Sequence, residues 1–462
     1  MASYELSKTK RNLIVSVMLI SAFVAILNQT LLNTALPHIM RELNINENTS
    51  QWLITGFMLV NGVMIPLTAY LMDKVKTRPL YLGAMGSFLI GSIVAAIAPN
   101  FGVLMIARVI QAVGAGILMP LMQFTLFTLF SKEHRGFAMG LAGLVIQFAP
   151  AIGPTFTGLI IDNASWRVPF IVIVGIALVT FIFGFVSISS YNTTKETKLD
   201  KKSVIYSTLG FGLMLYSLLI SLIIIGIFVK RQITISNPLL NLKIFNNKIF
   251  CFSTITSMII MLSMVGPALL IPLYVQNALG LSALLSGLVI MPGAIINGIM
   301  SVFTGKFYDK YGPRPLIFTG FILLISCTFL LCFLKVDTSY TYLIVIYAIR
   351  MFAVSLLMMP INTTGINALK TEDISHGTAI MNFGRVMAGS LGTALMVTFM
   401  SIGAQWVVSS SEHASKEMIQ RQSVAVGVDV SFALVTVFVI IAFVLALFIK
   451  EPNHLTHNSR KV

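Results

Sequence analysis

The chain has 462 residues, of which 56% are hydrophobic and 10% are charged, and its net charge is +15. Soluble globular domains carry roughly 25% charged residues, so this composition excludes an ordinary water-soluble protein. The excess of lysine and arginine does not indicate nucleic-acid binding, because the basic residues lie in short segments between long apolar stretches.

The amino-terminal half contains repeated apolar stretches of about 20 residues, the length that a helix needs to cross a ~30 Å hydrocarbon layer. Helices are expected because they satisfy their own backbone hydrogen bonds in lipid. The first stretch follows Lys8, Lys10 and Arg11 and so imitates a signal peptide, but it shows no small-residue cleavage pattern and is interpreted as a spanning helix. The spans predicted in this half are 12–36, 50–72, 79–98, 101–130, 136–161 and 166–189.

A lysine-rich polar segment, 191–203, separates these spans from an apolar stretch at 204–229. Both flanks of that stretch are basic, which predicts an even number of crossings, yet two full crossings need about 40 residues. A tilted hairpin of half-helices, broken near Tyr216 and Ser217, or a segment along the membrane face is therefore favoured. A single crossing, which would invert the second half, remains the alternative. The spans predicted after it are 249–276, 283–304, 314–334, 340–366, 376–403 and 430–449.

The predicted domains are a six-helix bundle at 1–190, a basic linker with the apolar insert at 191–248, a second six-helix bundle at 249–450 and a tail at 451–462. Lysine and arginine are distributed unevenly around the spans. Of the 31, 23 lie in the two tails and the loops on the same side, five lie in loops on the other side, and three lie within spans. Because cytoplasmic loops are rich in these residues, both termini are predicted to be cytoplasmic, in a multi-pass protein of the cell membrane.

Two short sequences recur at matching places in the two halves. DKVKTRPL at 73–80 and DKYGPRPL at 309–316 each join the second and third spans of their half. Arg108 and Arg350 each precede a Met-Pro pair in the fourth span of their half. The offsets are similar, as duplicated halves predict, and many transporters are built from such repeats.

These motifs resemble those of the major facilitator superfamily. GKFYDKYGPR at 305–314 matches its G-x-x-x-D-x-x-G-x-R signature, and RVIQAVGA at 108–115 is similar to its fourth-helix motif. APAIGPTFTG at 149–158 resembles the fifth-helix motif of its drug:proton antiporter branch. LNQTLLNTALP at 27–37 resembles the first helix of proton-driven multidrug exporters, in particular the lincomycin-resistance-like group. The resemblance covers nearly the whole chain and implies an all-α major facilitator fold of two six-helix bundles, with a short apolar insert between them.

The chain departs from that family in three respects. Its relatives usually have fourteen helices, and the additional pair lies where this chain has only 204–229. Ala69 and Lys76 stand where the first copy of the cytoplasmic signature usually has glycine. Many relatives carry a carboxylate in the first helix, where this chain has Asn28 and Gln29.

No predicted span has Asp or Glu in its core, whereas Arg108, Arg350 and Arg385 lie within spans, where charge is costly and usually functional. At 1.5 Å per residue, Arg108 lies roughly 10 Å below the outer end of its helix, and Asn28 and Gln29 lie roughly 11–12 Å below theirs. We therefore expect one of these amides to accept a hydrogen bond from Arg108, which has only donors. The alternative is that Arg108 binds backbone carbonyls and only holds helices together. Such arginines without carboxylates would favour neutral, zwitterionic or anionic cargo.

The gating motifs each have two interpretations. The Gly-Pro pair at 153–154 permits a kink, which either seals the two halves against leak or serves only packing. The turns at Asp73 and Asp309 either anchor helix ends at the cytoplasmic gate through Arg78 and Arg314 or are ordinary solvated turns. The residues predicted for gating and conformational change are Asp73, Arg78, Gly114, Pro150, Gly153, Pro154, Gly158, Gly305, Asp309, Gly312 and Arg314.

The sequence predicts a secondary exporter of small amphipathic compounds that works by alternating access, with proton antiport as the drive that the resemblance implies. Asp73, Asp309 or a carboxylate of the cargo are the candidate proton carriers. The alternatives are a uniporter or importer of a metabolite, or a non-transporting membrane sensor. The residues predicted to contact cargo or to couple its movement are Asn28, Gln29, Asn33, Arg108, Gln111, Gln147, Phe148, Arg350, Asn382 and Arg385.

Several classes of function and partner are not expected. The chain has no nucleotide-binding P-loop, so ATP is not expected to drive it directly. Its three cysteines lie in apolar stretches without paired spacing, which predicts neither a metal site nor a disulfide. An enzyme is not favoured, because no nucleophile–base pair lies in a span core. The expected partners are small-molecule cargo, protons and lipid, without a cofactor or nucleic acid, and the protein is expected to be a monomer.

Overall fold

The computed structural model of the chain describes residues 7–161, 164–192, 194, 200–212, 218–235, 238–410 and 416–449. Asn33, Pro154 and Gly158 lie in helices, but their side chains are outside the described part. The predicted break near Tyr216 and Ser217 and the predicted tail also lie outside the described residues.

Fourteen α-helices are described, and they include one for each of the twelve predicted spans. Eleven of them are long and apolar enough to cross a membrane, and α5, with 27 residues, is also long enough. The described part of the chain is therefore an all-α, multi-span membrane protein. The helices are α1 Lys8–Leu43, α2 Glu47–Lys74, α3 Thr77–Ala96, α4 Phe101–Leu129, α5 Arg135–Ile161, α6 Val168–Ser187, α7 Lys201–Gly212, α8 Leu218–Thr234, α9 Lys248–Asn277, α10 Ala283–Tyr311, α11 Pro313–Leu330, α12 Tyr340–Asn367, α13 Ile374–Ser410 and α14 Lys416–Leu447.

Local capping sets several of these helix ends. The side chain of Asn100 accepts a hydrogen bond from the N–H of Val103 at 3.0 Å and so caps α4, and Asn247 caps α9 in the same way. Such side chains satisfy N–H groups that have no partner within the helix. Gly312 ends α10 with a φ of +78°, a left-handed conformation that favours glycine.

Helix α1 continues seven residues beyond its predicted end. Glu42 in its last turn forms an ion pair with Arg167 and accepts a hydrogen bond from the indole N–H of Trp166 at 2.8 Å. The Arg167 hydrogen bond holds the pKa of Glu42 below its usual value. These contacts tie the end of α1 to the start of α6 and extend the helix past its apolar stretch.

Helices α13 and α14 are also longer than predicted, because α13 runs to Ser410 and α14 begins at Lys416. Their backbones lie close together: a Cβ added to Gly427 would lie 2.4 Å from the carbonyl oxygen of Met400. Asp429 lies well inside α14, where its Oδ1 accepts the N–H of Leu334 at 2.9 Å. The prediction that no helix core holds a carboxylate was therefore wrong.

The apolar insert contains two short helices, α7 and α8, which pack against each other. The carboxylate of Asp200, just before α7, accepts hydrogen bonds from Arg231 in the last turn of α8 at 2.6 and 2.8 Å. Gln232 donates to Ser203 at 2.6 Å. The two ends of the insert therefore lie side by side, as in the favoured hairpin of half-helices and unlike a single crossing helix.

The chain divides into two compact units. The first contains 1–131, 148–245 and 370–383, and the second contains 132–147, 246–369 and 384–462. The start of α5 thus groups with the second unit and the start of α13 with the first, whereas the predicted bundles kept both helices whole. Each unit has its own apolar core, around Trp166 and Leu104 in the first and around Phe321 and Leu357 in the second.

Candidate functional site

Arg108 is fully buried in α4 of the first unit. Its Nε donates to the carbonyl of Leu53 at 3.3 Å, and its Nη1 donates to Gln111 Oε1 at 3.0 Å and to the carbonyl of Asn28 at 3.5 Å. The guanidinium carbon also lies 4.1 Å from the centre of the Phe57 ring, a distance at which a ring face attracts a cation. Every hydrogen-bond acceptor named here is uncharged, so none of them cancels the arginine's positive charge.

Gln111 extends this network to α3 and makes a second contact with Asn28 in α1. Its Nε2 donates to Ser92 Oγ at 3.0 Å and to Asn28 Oδ1 at 3.5 Å. The amide nitrogen of Asn28 is buried and has no hydrogen-bond partner within the described residues. A network of α1, α3 and α4 therefore presents one unused amide donor beside a buried cation.

The expected meeting of α1 with Arg108 does occur, in a different form. The backbone carbonyl of Asn28 accepts the arginine's hydrogen bond, while its side chain pairs with Gln111; Gln29 is not among the hydrogen-bond partners of Arg108. The alternative that Arg108 binds carbonyls thus also describes part of the geometry. The depth estimate for Asn28 was too small, because α1 ends at Leu43 rather than near residue 36.

Two glycines bring α3 and α4 close enough for this network. A Cβ added to Gly114 would lie 2.4 Å from the carbonyl oxygen of Ala84, and one added to Gly91 would lie 2.7 Å from the backbone nitrogen of Gln111. Distances under 3.0 Å leave no space for a larger residue. Gly114 is therefore required for backbone packing beside the arginine.

The residues of α5 that were predicted to contact cargo or to act in gating differ in their burial and in the unit to which they belong. A Cβ on Gly153 would lie 2.1 Å from Thr30 Oγ1 of α1, so this glycine permits close approach within the first unit. In the second unit, Gln147 is buried, and its amide nitrogen lies 3.6 Å from the sulfur of Met264. Phe148 is half-buried and Pro150 is exposed.

Sequence reasoning missed Gln123, the partner of Asn382. The amide nitrogen of Asn382 donates to Gln123 Oε1 at 2.8 Å, and both side chains are buried. In the second unit, Ser257 donates to Asn362 at 2.8 Å. A polar side chain one turn after the proline at position 120 or 360 was the available signal, because the surrounding residues are mostly apolar.

Within the described residues, Arg350 does not repeat the Arg108 network. Arg350 is fully buried in α12, and its Nη2 donates to the carbonyl of Ser263. Arg385 is buried in α13. The repeat in sequence therefore preserves the position of Arg350 in its helix without preserving the amide partners.

Asp309 binds the start of α5 within the second unit. Its two carboxylate oxygens accept the backbone N–H groups of Gly136 and Phe137, each at 2.8 Å. These are the second and third residues of α5, whose N–H groups have no partner inside the helix, and a negative charge is favourable at that end. The helices approach closely here, since a Cβ on Gly305 would lie 2.3 Å from the carbonyl oxygen of Gly136.

Asp73 binds the start of α13 within the first unit. Its carboxylate accepts a hydrogen bond from Ser375 Oγ at 2.7 Å, and its Oδ2 lies 3.2 Å from His376 Nε2. The other nitrogen of His376, Nδ1, accepts the N–H of Asn241 at 3.3 Å. Asp73 and Asp309 thus both hold the second and third residues of a helix.

The two copies differ in how the aspartate reaches its helix. In the first copy, Ala69 occupies the position that corresponds to Gly305 in the second. There the side chains of Ser375 and His376, rather than backbone N–H groups, contact the carboxylate of Asp73. Arg78 was predicted to anchor a helix end, and its side chain donates to the carbonyl of Phe185 in the last turn of α6 at 2.9 Å; its role at a gate stays a prediction. Arg314 is exposed.

Comparison with known proteins agrees with this architecture. The family model described as Major Facilitator Superfamily matches residues 18–393. The MFS-type transporter YcnB of Bacillus subtilis is 40% identical over 98% of both chains. The lincomycin resistance protein LmrB of Listeria monocytogenes is 36% identical over 95% of this chain and 97% of its own.

A solved structure shows the same fold. The human organic anion transporter MFSD10 superposes with a TM-score of 0.69 over 94% of this chain and 99% of its own, at 12% identity. With fourteen described helices, duplicated aspartate turns and a buried arginine in α4, the chain belongs to the major facilitator superfamily of membrane transporters.

Proposed function

We propose that the protein exports small amphipathic compounds by proton antiport, through alternating access, as a monomer in the cell membrane. Similarity to the lincomycin resistance protein along almost the whole of both chains is the observation that carries this proposal. Lincomycin is therefore the first compound to test as cargo.

The surroundings of Arg108 support a role in binding cargo. A buried cation is costly in lipid and is usually retained for function. Its partners Leu53, Asn28 and Gln111 supply only neutral acceptors, and the unpaired amide nitrogen of Asn28 adds a further donor. Together they can donate to carbonyl, hydroxyl or carboxylate oxygens of a compound.

Asp73 and Asp309 are the proposed proton carriers, with a carboxylate of the cargo as the other candidate. Each aspartate accepts donors at the first turn of a helix. Protonation would remove the negative charge of the aspartate, which is favourable at the start of a helix. It would also place the carboxyl O–H, a donor, opposite another donor. The hold on α13 or α5 would weaken, which links proton binding to helix movement.

Transport into proteoliposomes tests both parts of the proposal. The purified protein should accumulate radiolabelled lincomycin when a pH gradient is imposed, and accumulation should collapse when the gradient is dissipated. Equal flux with and without the gradient would favour a uniporter. Failure to move any of a panel of drugs and metabolites would favour a membrane sensor.

Variants of one buried and one exposed arginine sharpen this experiment. Arg108→Ala should reduce gradient-driven transport to the level of empty vesicles, because the donor group is lost. Arg41→Ala, at an exposed position in the last turn of α1, is the control and should transport normally. Normal transport by folded Arg108→Ala protein would refute the binding role.

The proposed orientation has its own test. Lys76 and Tyr311 are exposed and lie at the two repeated turns, so cysteines placed there in a cysteine-free background should react from the cytoplasmic side. Labelling of the two positions from opposite sides of the membrane would contradict the duplicated architecture.

A further inference from the structure

Arg350 retains side-chain donors that no described protein group accepts. Its side chain is fully buried in α12, and Nη2 donates to the Ser263 carbonyl of α9. Its Nε and Nη1 are also buried, yet neither has a hydrogen-bond partner in the described part of the chain. Arg108 differs, because its Nε and Nη1 both have partners.

A third unused donor, on a different side chain, lies on the same face of α12. Tyr347 precedes Arg350 by three residues, which places the two side chains one above the other on a helix. Its side chain is fully buried, and its hydroxyl has no partner among the described residues. Close packing against α10, where a Cβ on Gly293 would lie 2.9 Å from the Tyr347 ring, holds the ring in place.

The surroundings contain no compensating negative side chain among the described groups. The titratable groups that act on the charge of Arg350 are Tyr347 and Cys327; both are ordinarily neutral at pH 7. Arginine does not lose its proton in proteins, and an unpaired buried charge is strongly destabilising. The site therefore has a positive charge and three unused donors, which are the features of an anion site.

We propose that Arg350 Nε and Nη1, with the Tyr347 hydroxyl, bind a monovalent anion in the second unit. Two sources share this chemistry: a small inorganic ion such as chloride, and the carboxylate of a bound organic compound. The inference stands apart from the export proposal, because binding is measurable without transport.

Thermal unfolding of the purified full-length protein at constant ionic strength tests the site. Replacing gluconate with chloride should raise the Tm in a saturable manner, by about 3 °C when chloride reaches one hundred times its Kd. Bromide tests the inorganic source further, and acetate and benzoate test the carboxylate source. A rise with halides identifies an inorganic ion, and a rise with carboxylates alone identifies an organic one; either supports the site.

Three variants assign the effect to this site. Arg350→Met should abolish the saturable rise, and Tyr347→Phe, which removes only the unused hydroxyl, should weaken apparent affinity several-fold while the protein remains folded. Arg41→Met removes an exposed cation and should keep the rise in full. The proposal is overturned if no anion gives a saturable rise in the wild-type protein, or if the rise is unchanged in both Arg350→Met and Tyr347→Phe.

Discussion

The Oδ1 atom of Asp309 lies 2.8 Å from the backbone nitrogen of Gly136, the second residue of α5. A side chain at the end of α10 thus caps a helix whose second residue lies 173 residues earlier in the chain. The carboxylate needs both oxygens for this role, because the second one accepts the N–H of Phe137.

Asp309→Asn should impair both stability and transport. The amide keeps one acceptor, but it loses the charge and turns an N–H₂ group towards a backbone N–H. Loss of a charged hydrogen bond costs about 1.5–3 kcal/mol, measurable as a lower Tm. Asp337→Asn removes a carboxylate at an exposed position and should leave both properties unchanged. A Tm equal to that of the wild type would contradict the capping role.

Gly305→Ala should lower the Tm more than an alanine substitution elsewhere in α10. The new methyl group would lie 2.3 Å from the carbonyl oxygen of Gly136, and overpacking of this kind costs about 1–3 kcal/mol. Gly287→Ala is the matched control, because nothing lies within 4 Å of a Cβ at that position in α10. Thermal unfolding of the two proteins measures the difference, and similar Tm values would show that the close approach is unimportant.

Replacement of Gln111 separates the charge of Arg108 from its structural role. Gln111→Glu keeps an acceptor for the arginine but neutralises the buried positive centre, so the protein should fold and should transport at least tenfold less. This fold-change corresponds to about 1.4 kcal/mol in free energy. The Gln111→Met variant leaves the charge of Arg108 uncompensated and removes the hydrogen bonds of the Gln111 side chain. If Gln111→Glu transports as well as the wild type, the free charge is not needed.

His376→Phe should loosen the hold of Asp73 on α13. The phenyl ring has no nitrogen to contact Asp73 or to accept from Asn241, and a buried polar group left without its partner costs about 1–3 kcal/mol. Hydrogen exchange of the first turns of α13 should increase. His38→Phe, at an exposed position of α1, provides the comparison. Unchanged exchange at the start of α13 would argue against the contact.

The ion pair at the base of the α7–α8 hairpin gives a pH prediction. Hydrogen bonds from Arg231 lower the pKa of Asp200 to about 2, so its contribution is complete above the ordinary aspartate value of about 3.9 and is lost as the pH falls towards 2. Proteolytic cleavage of the hairpin by pepsin should therefore increase over this interval.

Exchange of the two charges tests the same pair at neutral pH. Asp200→Arg should increase hydrogen exchange in α7 and α8, and the double variant Asp200→Arg with Arg231→Asp should reverse most of the increase. An increase that persists in the double variant would show that the individual residues, rather than their pairing, matter.

Apolar length predicted the spanning helices, because each must satisfy its own backbone in lipid. It did not predict the helix ends beyond the apolar stretches: contacts of Glu42 hold the end of α1, and close backbone packing at Gly427 accompanies the longer α14, which contains Asp429. These ends depend on tertiary contacts that leave no apolar signal.

The same distinction applies to the candidate site. Arg108 was predicted to meet Asn28 or Gln29 because their positions in the apolar stretches gave them similar depths, and a buried polar residue needs a partner. His376 was not predicted as a partner of Asp73, since the two are 303 positions apart and the histidine lies in an ordinary polar segment. The local sequence shows which groups need partners but not which distant segment supplies them.

The paired bases of α7 and α8 have a consequence for how such chains can diverge. Because Asp200 before α7 pairs with Arg231 in the last turn of α8, the two ends of the insert lie together, and residues gained or lost between them need not change the direction of the helices that follow. An insert of this length and a longer insert can then both precede the same second half. The joined ends of the insert, rather than its length, fix where that half begins.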